Sequence, residues 1–470
     1  MEKQYINIGN RREVFWDDFL IDTELTTAEQ RLVPPAEREC CFIFDGEEER
    51  NSISYPNVVK DDKGFKLYYL SFNPASHGKQ KIRLRVLESD DGIHWTRPDL
   101  GIFPTDEPGR NNIVIDEFND SSLCVFYDTN PNCPPEAKYK ALTLIFLDRA
   151  TDRRSLWCYT SPDGYHFTMG HMLTDKGRFD TLNATFFSHE DNKYHSFIRN
   201  LHGEWATGIV RDVRMMTSDD FVNWTDPVQL EYDDGLDFQM YTNNVMQYPR
   251  APHMFVGMPT RYVERQEWTP NDEQFGSAAI KKKAGETIEP RCALVSTDLV
   301  FMCSRDGVHF RRYPEAYLTP GLENEHNWIY GDCYSSYPIH DTGDTYSFFL
   351  LRKGMTEGAP KELWRYELRK DGFACREAGM KEKTVVTKPF MFTGSTLHLN
   401  VATSAMGSVY VEVLDENGAL LSGTSVEIYG DTLDRIVCFP DGSDFLAYAD
   451  RPIRLRFRMR DAKLYSMYFN

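Results

Sequence analysis

Residues Ser89–Pro98 read SDDGIHWTRP, and the phrase returns along the chain. It comes back as SPDGYHFTMG from Ser161, SDDFVNWTDP from Ser218 and SRDGVHFRRY from Ser304, with a worn copy, RKDGFACREAG, from Arg369. Five copies at intervals of roughly 55–90 residues mark five copies of one structural unit. Within each copy a strand ends at the Ser. An Asp-Gly pair then turns the chain tightly, because Gly tolerates positive φ and Asp bonds nearby backbone N–H groups. An aromatic residue (Trp95, Phe167, Trp224 or Phe310) leads into the next strand and packs between sheets. His94, His166 and His309 sit inside the phrase, which makes them structural by position. In the third copy Phe221 replaces the Gly, which predicts a different turn there.

Between the copies lie apolar or alternating runs such as GFKLYYLSF, YKALTLIFL, KYHSFIRN, HMFVGMPTRY and TYSFFLLRK. Short strands with polar turns predict an all-β barrel, sandwich or propeller, and five units of about four strands select a five-bladed β-propeller. The blades are expected near 52–98, 112–169, 180–227, 240–312 and 329–375, with the repeated phrase as the outer hairpin of each. After Met380 the pattern changes to long alternating strands with a hairpin turn at Glu416–Gly418. The domains expected are therefore a lead-in over 1–50 that closes the ring and covers the first blade, a propeller over 51–380, and a C-terminal β-sandwich over 381–470. The polar stretch 264–290 interrupts the fourth blade and reads as a lid or a contact between subunits of a homo-oligomer.

The composition limits the partners. A net charge of −19 opposes binding to the nucleic-acid backbone, and no apolar run is long enough to span a membrane. The basic run Lys281–Lys283 reads as a solvated loop. The opening MEKQYINIGN lacks the apolar core of an export signal, and ten scattered cysteines without a CxxC pair suit a reducing compartment. Both point to the cytoplasm. No HExxH, phosphate-cradling Gly loop, dinucleotide fingerprint or GxSxG elbow occurs, so no cofactor and no metal ligand set is expected. A structural cation on the propeller axis is left open.

Catalytic groups of a propeller belong where the first strands converge on the axis. Those strands open with Glu49 and Arg50 (first blade), Asp180 and Asn183 (third), Asp237, Tyr241, Asn243, Arg250, His253 and Arg261 (fourth), and Trp328 and Asp332 (fifth). A buried carboxylate needs a partner or a job. Four carboxylates beside Arg, Asn, Tyr and Trp suit sugar chemistry, in which one acid protonates the leaving oxygen and a second carboxylate acts as base or nucleophile. Asp17 and Asp18, between apolar residues in VFWDDFLID, read as structural.

The segments VFWDDFLID, SDDGIHWTRPDLG, RFDTLNATFF, MYTNNVMQYPRAPHMFVGMPTRY, FMCSRDGVHF and RLRFRMRDAKLYSMYF together resemble bacterial glycoside-hydrolase-like five-bladed propellers, related in fold to glycoside hydrolase families 32 and 43. The resemblance implies an exo-acting glycosidase for oligosaccharides or glycosides with a small terminal sugar such as a furanose. It sets Asp180 in the place of the transition-state Asp and Glu49 in that of the first-blade acid. The WMNDPNG and Glu-Cys motifs of family 32 are absent, so the proton donor is not assigned by it, and Asp237 and Asp332 stand in that place. The alternatives are a non-catalytic sugar-binding propeller, a sialidase-like hydrolase, a phosphorylase or a lyase. The arginines near the first strands would suit the carboxylate of an acidic sugar or a phosphate.

Overall fold

The computed structural model describes residues 5–76, 79–105, 109–204, 208–354, 356 and 358–470. Nearly all regular structure is β, arranged in two compact units. The larger comprises 35–248 and 252–367, and the smaller comprises the N-terminal residues to 34, 249–251 and 368–470. These boundaries differ from the expected breaks at 51 and 380.

The larger unit has a propeller-like arrangement of blades. Four sheets have four strands each in meander order. The first runs from Ile53–Asp61 to Ile113–Ile115, the second from Cys124–Tyr127 to Thr168–Thr174, and the third from Ala184–Ser188 to Val228–Gln229. The last comprises His340–Asp341, Thr345–Arg352, Lys361–Arg369 and, as its closing strand, Ala36–Phe44. The expected fourth blade, 240–312, is instead part of a seven-stranded sheet. Two of its strands are broken. Gln239–Met240 and Met246–Gln247 form one side of a hairpin, and Phe255–Gly257 and Thr260–Glu264 form the other. The second break falls at Met258-Pro259, where proline lacks the N–H a ladder needs. An additional short strand, Glu231–Tyr232, lies parallel to His309–Phe310.

Apolar clusters fill the spaces between successive sheets. Tyr68, Leu84 and Val86 of the first sheet pack with Val125, Tyr139 and Ala141 of the second. Leu67, Tyr69 and Leu87 pack with Phe349 and Leu363 of the last. The repeated phrase locks these layers. In the first copy the Ser89 hydroxyl accepts the Gly92 N–H (2.9 Å), and Asp91 Oδ1 accepts the N–H groups of Ile93 and His94 (2.8 Å each). The pattern recurs at Asp163, Asp220 and Asp306. Three of the motifs also grip the preceding sheet. Gly92 O accepts from His340 Nε2 (2.9 Å), Gly164 O from the Tyr68 hydroxyl (2.8 Å), and Phe221 O from His171 Nε2 (3.0 Å).

The third turn does not differ. Phe221 adopts φ +66°, close to the +74° to +80° of Gly92, Gly164 and Gly307, and keeps the same hydrogen bonds. Its buried ring, packed on Phe126 and Tyr194, offsets a left-handed cost of about 1–2 kcal/mol.

Asparagine side chains link the first strands in turn. Asn57 Oδ1 accepts Val125 N–H, Asn183 Nδ2 donates to Ser122 Oγ, and Asn243 Nδ2 donates to Leu182 O. Asn244 Nδ2 donates to Ser335 O and Ser336 O, and Tyr337 and Pro56–Val58 exchange backbone bonds, which returns the series to its start.

The insertion at 264–290 is folded. It carries short helices at Asp272–Gln274 and Ala278–Thr287. Lys281 is not solvated as expected; it is buried, 3.2 Å from Asp272 and over the Phe275 ring.

The strands of the smaller unit form one hydrogen-bonded network of nine. Its backbone is the long antiparallel pair Leu397–Asp415 and Ile453–Phe469, around a core that includes Phe15, Val411, Phe457 and Phe469. Residues 5–34 belong here, with Ile6–Gly9 parallel to Phe390–Phe392 and Glu29–Leu32 beside Ala374–Ala378. Asp18 pairs with Arg376, and Asp17 accepts the Phe19 N–H. The fifth copy of the phrase also lies in this unit. Its Asp371 is buried and accepts from Ser466 Oγ (2.6 Å) and Arg12 (3.2 Å).

Candidate active site

The linked asparagines fix what lies beside them. Tyr55 precedes Asn57 by two positions, Asp180 precedes Asn183 by three, Tyr241 precedes Asn243 by two, and Tyr334 immediately precedes Ser335. These side chains form one cluster. Asp180 Oδ2 lies 3.4 Å from Arg154 Nη1, and its Oδ1 lies 3.8 Å from Arg199 Nε. Both Oδ1 and Nε are buried, and neither makes a hydrogen bond among the described residues. Arg199 donates through Nη1 to Tyr241 O (2.7 Å) and lies over the Tyr241 ring. The Tyr241 hydroxyl meets that of Tyr330 at 2.8 Å, and its ring stacks with Tyr334 (5.0 Å) and Tyr262 (5.8 Å). Burial first, then Tyr241 and Asp180 nearby, push the Tyr55 hydroxyl well above its usual range, so it is a proton donor at any ordinary pH. Flat apolar faces beside a carboxylate and guanidinium groups are what a sugar ring and its hydroxyls require.

Asp332 sits on the same segment as Tyr330 and Tyr334 and lines a cavity of about 540 Å³. Its walls include Glu37, His326, Cys333, Arg352, Glu362 and Tyr366. Burial lifts the Asp332 carboxyl to about 7, against the Ile329 N–H that its Oδ2 accepts at 3.0 Å. A carboxylic acid that keeps its proton near neutrality can serve as a general acid.

The other expected site residues are placed elsewhere. Glu49 is buried with its oxygens fully used, accepting from Tyr69 Oη (2.6 Å), Arg97 (2.6 Å) and Gly46 N–H (3.0 Å). It shares no partner with Asp180, Asp237 or Asp332. Asp237 is 63% exposed and pairs with His202 (3.0 Å). Arg50 donates to the carbonyls of Asp45 and Gly358. Asn183 and Asn243 are buried links between strands. Arg261 is held bidentately by Asp298 (2.9 and 2.6 Å). His253 lies in the turn of the 239–264 hairpin, at the end opposite Tyr241. Arg250 is counted in the smaller unit, 3.5 Å from Asp371. Trp328 donates its indole N–H to Gly321 O (2.9 Å) and adjoins Phe275. Asp180 and Tyr241 thus remain in the cluster, while Asp332 faces a cavity whose walls include none of the cluster's side chains. Tyr55, Tyr330, Tyr334, Arg154 and Arg211 join the cluster without a sequence signal beyond their position near the asparagines and strands.

Among the described residues no group of three or more His, Cys, Asp or Glu side chains could hold a metal ion. No described helix is long and apolar enough to cross a membrane.

Fold and site together define an all-β protein of propeller-like blades with an aromatic, arginine-lined cluster where the first strands meet. No family model matches the chain, and no curated protein matches it. Among solved structures it is similar to an N-acetylgalactosamine deacetylase from F. plautii (13% identity over 73% of this chain and 96% of that one, TM-score 0.44). It is also similar to the Bombyx mori family 32 β-fructofuranosidase BmSUC1 (8% identity, 96% and 95% covered, TM-score 0.42) and to a family 130 protein described among mannoside phosphorylases and glycoside hydrolases (14% identity, 73% and 95%, TM-score 0.39).

Proposed function

We propose that the larger unit is a five-bladed propeller acting as a carbohydrate-active enzyme, most simply a glycoside hydrolase. The blade count takes the seven-stranded sheet as the fourth blade, since joining its broken strands leaves four, with Glu231–Tyr232 as an addition. The observation that carries the enzymatic reading is Asp332: a half-buried carboxyl on a cavity, holding its proton to about pH 7. In this reading Asp332 protonates the leaving oxygen. Asp180, set between Arg154 and Arg199, takes the base or nucleophile role. Tyr55, Tyr241 and Tyr334 carry the sugar ring. The cavity beside Asp332 has a volume in the ordinary range of about 300–1,000 Å³ for small-molecule sites, though its walls include neither Asp180 nor the three tyrosines. A furanose preference rests on the sequence resemblance alone. The folded insertion 264–290, tied to the Asp332 segment by Ser277 Oγ donating to Asn327 O (2.6 Å), would act as a fixed wall of the site.

The test is release of sugar from a panel of aryl glycosides and oligosaccharides by wild type, Asp332→Asn and Asp180→Asn. Each substitution should lower kcat/KM by about 10²–10⁴ if its carboxyl takes part in proton transfer. Binding of glycans without any product would replace the enzyme with a sugar-binding module.

A further inference from the structure

Buried arginines in this protein come with carboxylates. Arg85 has Glu48, Arg312 has Asp234, Arg365 has Glu39 and Glu367, and Arg376 has Asp18. With 72 acidic residues against 53 basic ones, carboxylates are not scarce. Arg211, which is half-buried, stands apart. Among the described residues it forms no ion pair; it donates to the neutral Gln239 Oε1 and lies over the Tyr262 ring at 4.4 Å. Burial, then Arg199 and Arg291 nearby, hold its guanidinium below the usual arginine range. Arg291 donates to the Tyr262 hydroxyl (3.0 Å), and its carboxylate partner, Glu289, is an exposed side chain. Arg199 is 3% exposed and keeps an unpartnered Nε. Three guanidinium groups thus converge on the tyrosines of the candidate site, with positive charge to spare.

We propose that Arg199, Arg211 and Arg291 form an oxyanion subsite of the candidate active site, taking either the carboxylate of an acidic sugar or inorganic phosphate. Arginine forks match both anions bidentately, and an anion here would relieve the mutual repulsion of the three cations. This deepens the enzymatic reading and rests on it for the identity of the sugar. With phosphate as co-substrate the step is phosphorolysis: the glycosidic C–O bond breaks, a phosphate oxygen bonds to the anomeric carbon, and the leaving oxygen receives a proton. With an acidic sugar the anion only orients the ring.

Calorimetric titration of inorganic phosphate, glucuronate and glucose at constant ionic strength tests it, using wild type, Arg211→Gln and Arg211→Lys, with melting curves to show that each variant is folded. One oxyanion should bind saturably, and glucose should not displace it. Arg211→Gln should weaken binding by about tenfold or more, and Arg211→Lys by less. Glucuronate binding identifies the acidic sugar; phosphate binding with phosphate-dependent formation of a sugar phosphate identifies phosphorolysis. If neither anion binds, or the folded Arg211→Gln variant binds as wild type does, the subsite is rejected. Turnover of acidic glycosides and phosphate-dependent turnover both unchanged in Arg211→Gln also reject the subsite while the enzymatic reading stands. Arg211-dependent anion binding with no turnover of any glycan supports the subsite and rejects the enzyme.

Discussion

Replacing Asp332 with asparagine should stabilise the protein at alkaline pH and do little in acid. Asp332 is half-buried, and burial lifts its carboxyl to about 7, against 3.8 for an unperturbed side chain. The gap of about three pH units corresponds to ~4 kcal/mol at about 1.36 kcal/mol per unit. Between those two values the folded state holds a proton that the unfolded chain has released. Stability therefore falls as pH rises through this window, and the whole cost stands above pH ~7. Asp332→Asn removes the titration and keeps a side-chain oxygen for the Ile329 N–H. The two proteins should unfold at similar temperatures near the acid end of the window. By about pH 8 the variant should gain up to ~4 kcal/mol. With roughly 330 residues in the larger unit, and an unfolding entropy of ~2.1 cal/mol/K per residue, that gain is ~6 °C in Tm. Calorimetry across pH 4 to 8 measures it. A difference between the two proteins that does not change with pH would mean that Asp332 does not titrate in this range, and its role as proton donor would fall with the linkage. Under the proposed glycosidase reading the same titration should appear as activity lost above about pH 7, because the acid must be protonated to donate.

Glu49→Ala should destabilise the larger unit by about 3–5 kcal/mol in denaturant titration, because it strands the Arg97 charge and the Tyr69 hydroxyl in the interior. Gly164→Ala should cost about 2–5 kcal/mol, since the new Cβ would lie 2.5 Å from Tyr68 Oη and the backbone is at φ +80°. The control is Gly9→Ala, also at positive φ but with nothing within 4 Å, which should cost only ~1–2 kcal/mol. Phe221→Gly should relieve ~1–2 kcal/mol of left-handed strain and lose about 3–5 kcal/mol of ring burial, leaving a net loss that equilibrium unfolding can resolve.

The repeated phrase made the blades legible because every blade meets the same physical demand. Each third strand must turn back, and each turn must dock on the sheet before it. Gly92, Gly164 and Phe221 meet that demand with carbonyls that accept from His340, Tyr68 and His171. The broken strands of the fourth unit were harder to read, since Pro259 interrupts a ladder within one hairpin and the extra strand Glu231–Tyr232 comes from outside it. The same reasoning explains why the candidate site was only partly visible. Whether a carboxylate is spent depends on partners far away in sequence. Arg97 reaches Glu49 across 48 positions, and nothing local to a run of three glutamates announces it. Asp332, by contrast, forms no ion pair among the described residues, and burial outweighs the pull of Arg352, so it keeps its proton. Tyr55 and Tyr334 read as ordinary residues until Asn57, which follows the one, and Asn244, which donates to Ser335 beside the other, draw their segments together. What recurs in every blade therefore reports docking, and what differs at the same position reports chemistry. Position two or three before a linking asparagine holds Tyr55, Asp180 or Tyr241, three different side chains on one framework, and that variation is where a specific ligand would be read.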